Sequence, residues 1–156
     1  MSQENLHSDT QSEREISGEE IQEAAQRLVF SGFEGLKFDV DHGESEEALF
    51  TQITTGYIKA MRKIKEESGY DLSGLEMRFK KLPVRQPMTL IGIQIVDFEG
   101  EANWLGEDSA YQCGESTLDG RGIQKLNTVD SDKLADLIYD NLTNDREFLR
   151  LNDSST

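Results

Sequence analysis

The sequence predicts an α+β fold: a small antiparallel sheet of three to five strands with two to four helices packed on one face, in the approximate order α-β-α-β-β-(β)-(β)-α. Two observations carry this expectation. Apolar residues recur at helical spacing in segments near both ends of the chain. Between them, residues 75–80 alternate strictly between apolar and polar, and 88–98 are dense in Ile and Val. These two runs lie too close for a crossover helix, so they are expected to pair as an antiparallel hairpin.

The first helix starts at a capping box, Ser17-Gly18-Glu19-Glu20, in which the hydroxyl takes a free N–H and Glu20 reaches back. Ile21, Ala24, Ala25, Leu28 and Val29 follow as its apolar side, and Gly32 supplies a stop. Leu36, Phe38 and Val40 alternate with Lys37 and Asp39, which predicts a short strand. Ser45 then caps a second helix, with Glu46 and Glu47 in its first turn and Lys59, Arg62, Lys63 and Lys65 towards its negative end. Leu49, Ile53, Tyr57, Met61 and Ile64 form one continuous apolar stripe on it, and Ser68-Gly69 ends it.

Pro83 and Pro87 bracket the hairpin loop, where no ladder can continue. Residues 102–105 and 110–113 are weaker strand segments. Residues 114–130, with glycines at 114, 120 and 122, are expected to form a long loop. Asp130 or Ser131 caps a helix carrying Leu134, Leu137, Ile138 and Leu142, and a short helical piece runs from Asn144 to Leu151. Residues 1–16 are polar enough to be a disordered tail, 17–151 form a single domain, and 152–156 are a disordered end.

Composition narrows the function classes. The 156 residues carry a net charge of −15, which disfavours binding to phosphate backbones. No apolar run has the length of a membrane span. The N-terminal residues show neither a basic region nor an apolar core, so export is not expected. A single cysteine, Cys113, forms no internal disulfide, in keeping with a cytoplasmic location.

Catalytic signatures are lacking. His7 lies in the polar tail and His42 in a turn, and nothing in the sequence near Cys113 would lower its thiol pKa. The glycines of 114–122 come without the phosphate-loop lysine pattern. Asp39, Asp41 and Glu44 open like a calcium loop, but Gly43 stands one place early and Phe50 occupies the position of the bidentate carboxylate. No cofactor and no structural metal are expected. The secondary reading is a small-molecule binder or an enzyme of unknown chemistry, with an enclosed pocket lined by His42, Cys113 or the 114–130 loop, or a weak cation binder.

The charge is uneven. Residues 59–85 hold a basic stretch that includes Lys59, Arg62, Lys63, Lys80, Lys81 and Arg85, whereas 86–120 contain no Lys or Arg. The order of elements from residue 45 onwards also matches the α-β-β-β-α order of double-stranded-RNA-binding domains, with the basic stretch as the patch such a domain needs. The opening of the last helix, Asp130 and Asp132, faces phosphates with the wrong sign.

The leading expectation is a non-enzymatic interaction module that binds a basic surface of a partner protein, as an inhibitor, immunity factor, nucleic-acid mimic or capping chaperone would. Its site residues are Asp97, Glu99, Glu101, Glu107 and Asp108, which would project from a strand edge, with Trp104 and Tyr111 as aromatic anchors. A homodimer through the apolar stripe of the second helix is a lesser expectation.

Overall fold

The computed structural model describes residues 15–34, 36–38, 41, 45–84, 88–97, 99–106, 110–118, 120–122, 124–126 and 130–153, with backbone alone for 113–117 and 124. Four helices and seven strands follow one another among them. They are α1 (Gly18–Ala25), β1 (Leu28–Ser31), β2 (Lys37–Phe38), α2 (Glu46–Ser68), β3 (Glu76–Lys81), β4 (Met88–Val96), β5 (Ala102–Trp104), β6 (Ala110–Leu118), β7 (Gln124–Leu126), α3 (Ser131–Thr143) and α4 (Arg146–Leu151). The fold is α+β, as expected.

Local chemistry sets the helix ends. At α1 the Ser17 hydroxyl accepts from the Glu20 N–H at 3.2 Å, and the Glu20 carboxylate accepts from the Ser17 N–H at 3.4 Å, closing the capping box. The Ser45 hydroxyl accepts from the Ala48 N–H at 3.1 Å to start α2. Gly69, at φ +82°, ends α2 in the left-handed conformation that only glycine adopts without strain. Asp130 caps α3 through the N–H groups of Asp132 and Lys133.

The sheet body comprises β1, β3, β4, β5 and β6. β3 and β4 form the anticipated antiparallel hairpin, with Phe79 opposite Ile93. β4 is flanked on its far side by β5 along its C-terminal half and by β6 along its N-terminal half. β7 pairs with β6, and β2 with β7, which completes the order β1-β3-β4-β6-β7-β2.

Two strands depart from the sequence reading. Leu28 and Val29, assigned there to the end of the first helix, begin β1, which runs parallel to β3. The 23-residue helix α2 provides the long crossover that a parallel pair requires, so the sheet is mixed and not purely antiparallel. Packing outweighs the helical pattern here: the Phe30 ring stacks on Phe50 of α2 at 4.5 Å and on Phe79 of β3 at 5.6 Å. The second departure is β7. The expected 114–130 loop instead continues β6 to Leu118 and returns through Gln124–Leu126, a ribbon held by backbone pairing that leaves little apolar pattern to read.

The inward positions of the sheet, Met77 and Phe79 of β3 and Ile91, Ile93 and Ile95 of β4, share one core with Leu49, Ile53, Tyr57, Met61 and Ile64 of α2. The whole apolar stripe of α2 is thereby buried in its own fold, which leaves none of it for the homodimer contact considered above. α3 lies close against α2 at Gly56, where an added Cβ would stand 3.0 Å from the Ser131 carbonyl oxygen and 3.1 Å from Leu134 Cδ2. Replacing Gly56 by Ala should therefore destabilise the fold by about 1–3 kcal/mol in urea unfolding, in spite of alanine's better helix propensity.

The Tyr57 hydroxyl is 2.7 Å from the carbonyl oxygen of Leu75 and 3.1 Å from that of Ser73, tying α2 to the segment that enters β3. Burial raises its pKa well above the ordinary 10.0; the positive charge of Arg27 opposes the rise and the Asp71 carboxylate adds to it. Because the folded value is raised, the associated stabilisation is complete below the ordinary tyrosine value and is lost as pH rises through the folded one. Tyr57→Phe should cost about 1–3 kcal/mol at neutral pH, since buried carbonyls lose their donor. Its stability should also fall less steeply than wild type above the ordinary tyrosine pKa, as urea unfolding at alkaline pH would report.

Candidate functional site

The alternation that buries Met77 and Phe79 turns Glu76, Arg78 and Lys80 to the opposite face of the sheet, and all three are exposed. Register extends that face across four strands. Val29, Arg78, Gln94 and Trp104 lie side by side in one row, and Ser31, Lys80, Gly92 and Ala110 in the next. Of the five exposed large apolar residues among those described, three lie on this face: Val29 at 49%, Met88 at 41% and Trp104 at 50% exposure. The helices cover the other side, so this face is open.

Trp104 is held in place. A Cβ added at Gly92 would come within 2.5 Å of its Cζ3 atom and 3.2 Å of Leu82 Cδ2, so the benzo ring of the indole takes up the space over a strand position without a side chain. The residue as a whole remains half exposed. That geometry suits a rigid anchor, because little rotamer freedom is left to lose on binding.

The acidic residues have divided roles. β4 stops at Val96, so Asp97, Glu99 and Glu101 do not line one strand face as expected; they form the turn into β5. Asp97 organises that turn. Its Oδ1 accepts from the Glu99 N–H at 3.0 Å and the Glu101 N–H at 2.9 Å, and its Oδ2 accepts from the Asn103 amide at 3.3 Å. The Glu99 and Glu101 residues are exposed. Glu107 and Asp108 lie outside the described residues. Tyr111 is brought elsewhere: opposite Ile91 it faces the helices, is 7% exposed, and its hydroxyl donates to the Asp130 carbonyl at 2.5 Å. It is part of the core, on the other side of the sheet from Trp104.

The basic stretch does not come together on one surface. Lys59 pairs with Asp132 of α3 at 2.6 Å. Arg62, 6% exposed, pairs with Glu20 of α1. Lys63 lies 4.3 Å over the Tyr139 ring, whose hydroxyl donates to Glu67. Lys80 is on the open sheet face, on the far side from these helical cations, and Lys81 is half-buried at the end of β3. Arg85 and His42 lie outside the described residues, as does the side chain of Cys113.

Among the described residues, no three His, Cys, Asp or Glu side chains come together as a metal ion would need. No helix there is long and apolar enough to cross a membrane. Comparison with protein-family models, with curated proteins and with solved structures finds no match to this chain.

Gly92 was the available sequence signal for this site, a glycine inside a run of Ile and Val where a close approach was to be expected. The chain has one tryptophan, so its fluorescence reports the site directly. Acrylamide should quench Trp104 readily in the native protein. Gly92→Ala should shift the emission by lifting the indole off β4 while the cooperative unfolding transition is kept.

Proposed function

We propose that this chain is a non-catalytic protein-interaction module whose docking surface is the open face of the sheet, with Trp104 as its anchor. The observation that carries this reading is the half-exposed indole seated over Gly92 in one row with Val29. An apolar anchor supplies affinity only where a partner side chain desolvates it, and Val29 and Met88 widen the apolar area around it.

Charge selects the partner. Glu99 and Glu101 lie in the turn that leads into the strand carrying the anchor, and the chain as a whole carries −15, so a protein surface with Lys or Arg near an apolar side chain is the complementary one. Arg78 and Lys80, on β3 two strands from β5, give the face a second sign and orient the partner along the row. An inhibitor, an immunity factor or a capping chaperone would each use such a surface.

Trp104→Ala should fold normally and weaken binding of a partner captured by the wild-type chain by about 30-fold, the scale of an interface hot spot. The double variant Glu99→Gln, Glu101→Gln should mainly slow association and flatten its dependence on salt. Surface plasmon resonance at two ionic strengths reads both effects. Unchanged affinity in both variants would discard the open face as the docking surface.

A further inference from the structure

On the helical side, a cleft of about 260 Å³ opens between α1 and α2 and is closed below by the segment that follows α2. Ala24, Ile58 and Met61 form an apolar wall, and Arg27, Arg62 and Lys65 bring three cations to it. Glu20, Glu23 and Asp71 line it too, so the cleft is balanced in charge where the chain as a whole carries −15.

The acidic residues of the cleft are largely committed to neighbours. One oxygen of Glu20 accepts from the Ser17 N–H and the other from Arg62. Asp71 Oδ1 accepts from the Ser73 hydroxyl at 2.7 Å and from the Ser73 N–H at 3.1 Å, and these bonds hold its carboxyl below the ordinary range. Its Oδ2 lies 3.6 Å from the Lys65 ammonium.

Arg27 differs from its neighbours. The residue is half-buried just past the end of α1, with its Nε 3.7 Å from where a Cβ on Gly74 would stand. Among the described residues its guanidinium makes no hydrogen bond or ion pair. Glu23, four residues earlier, lines the same cleft and is exposed, yet the two are not joined. A guanidinium presents a flat fork of donors that matches a carboxylate in two parallel bonds, and it gains most where water is partly excluded.

We infer that the α1–α2 cleft is a binding site for a small organic carboxylate, with the anionic end on the Arg27 guanidinium and an apolar body against Ala24, Ile58 and Met61. The volume falls just below the ~300–1,000 Å³ of drug-sized sites, which sets the ligand at about the size of a single ring or a short branched chain. This inference is independent of the sheet-face reading, since it uses neither Trp104 nor the acidic turn.

Benzoate is the first probe, followed by two-dimensional NMR of the full chain, with benzamide as its neutral counterpart and inorganic phosphate as the competing anion. Saturable shifts are expected at Arg27, Ile58 and Met61 with benzoate, and none of comparable size with benzamide. Arg27→Gln should weaken benzoate at least about tenfold, the loss of a charge-assisted pair, and Arg27→Lys should recover only part of it. Glu23→Gln should strengthen binding by removing a competing carboxylate. Equal binding of benzamide, tighter binding of phosphate, or an Arg27→Gln variant that folds and binds benzoate as before would overturn the assignment.

Discussion

The arrangement of this molecule depends on the burial of one helical stripe. Leu49, Ile53, Ala60 and Ile64 of α2 have no exposure, and neither do Met77, Phe79, Ile91 and Ile93 on the sheet. Fully burying each such large aliphatic or aromatic side chain contributes about 1.5–3 kcal/mol relative to leaving it in water. Once α2 is laid across β3 and β4, strand parity decides the rest: alternate residues go to the core, and their neighbours are left on a face that none of the described helices covers. The same placement makes α2 the crossover between β1 and β3. It follows that β1 must be parallel to β3, and that Val29 must share a face with Arg78.

The parts of the fold governed by local patterns were legible in the sequence. Helix α2 begins at the serine and ends at the glycine that its pattern indicates, and the β3–β4 hairpin follows from alternation followed by a run of Ile and Val. What was not legible depended on contacts between distant residues. Leu28 and Val29 continue a helical spacing begun by Ile21, yet the Phe30 ring has stacking partners on both α2 and β3 only if that segment is extended. β7 was missed because its pairing with β6 is carried by backbone groups, with Leu126 alone marking the core. For the site, Trp104 and Tyr111 were expected to serve together, and the structure separates them. The two residues occupy positions of opposite parity relative to β4, and parity across strands cannot be read without the register. Arg27 gave no signal at all, because only the fold shows that it meets no partner among the described residues.

Charge also acquires meaning from position. Counting residues suggested a basic stretch opposed to an acidic one, a division along the chain. The folded molecule divides them differently. Lys59, Arg62, Lys63 and Lys65 hold the helices to one another or to the segment after α2, through Asp132, Glu20, the Tyr139 ring and Asp71. Exposed pairs of this kind add little to stability; in the Arg62 pair the guanidinium is buried while the Glu20 side chain stays 41% exposed, so water still screens it from one side. Cations that sequence order places together are thus used internally, and their contribution to an external field is reduced.

A carboxylate within the acidic stretch is used internally in the same way. Asp97 has three donors converging on it and functions as the frame of the β4–β5 turn, so its contribution is to shape. Glu99 and Glu101 are carried on that frame, ahead of the strand that bears the indole. An acidic residue that builds a turn and others that the turn displays are indistinguishable by composition, yet only the latter are free to meet a partner. The place of the indole has a similar origin: Gly92 leaves room over β4, β5 aligns Trp104 with Gln94, and Leu82 borders the same gap. A surface built so that its largest apolar group is neither withdrawn into the core nor loose in solvent maintains a standing cost of hydration, and contact with a complementary surface is what relieves it.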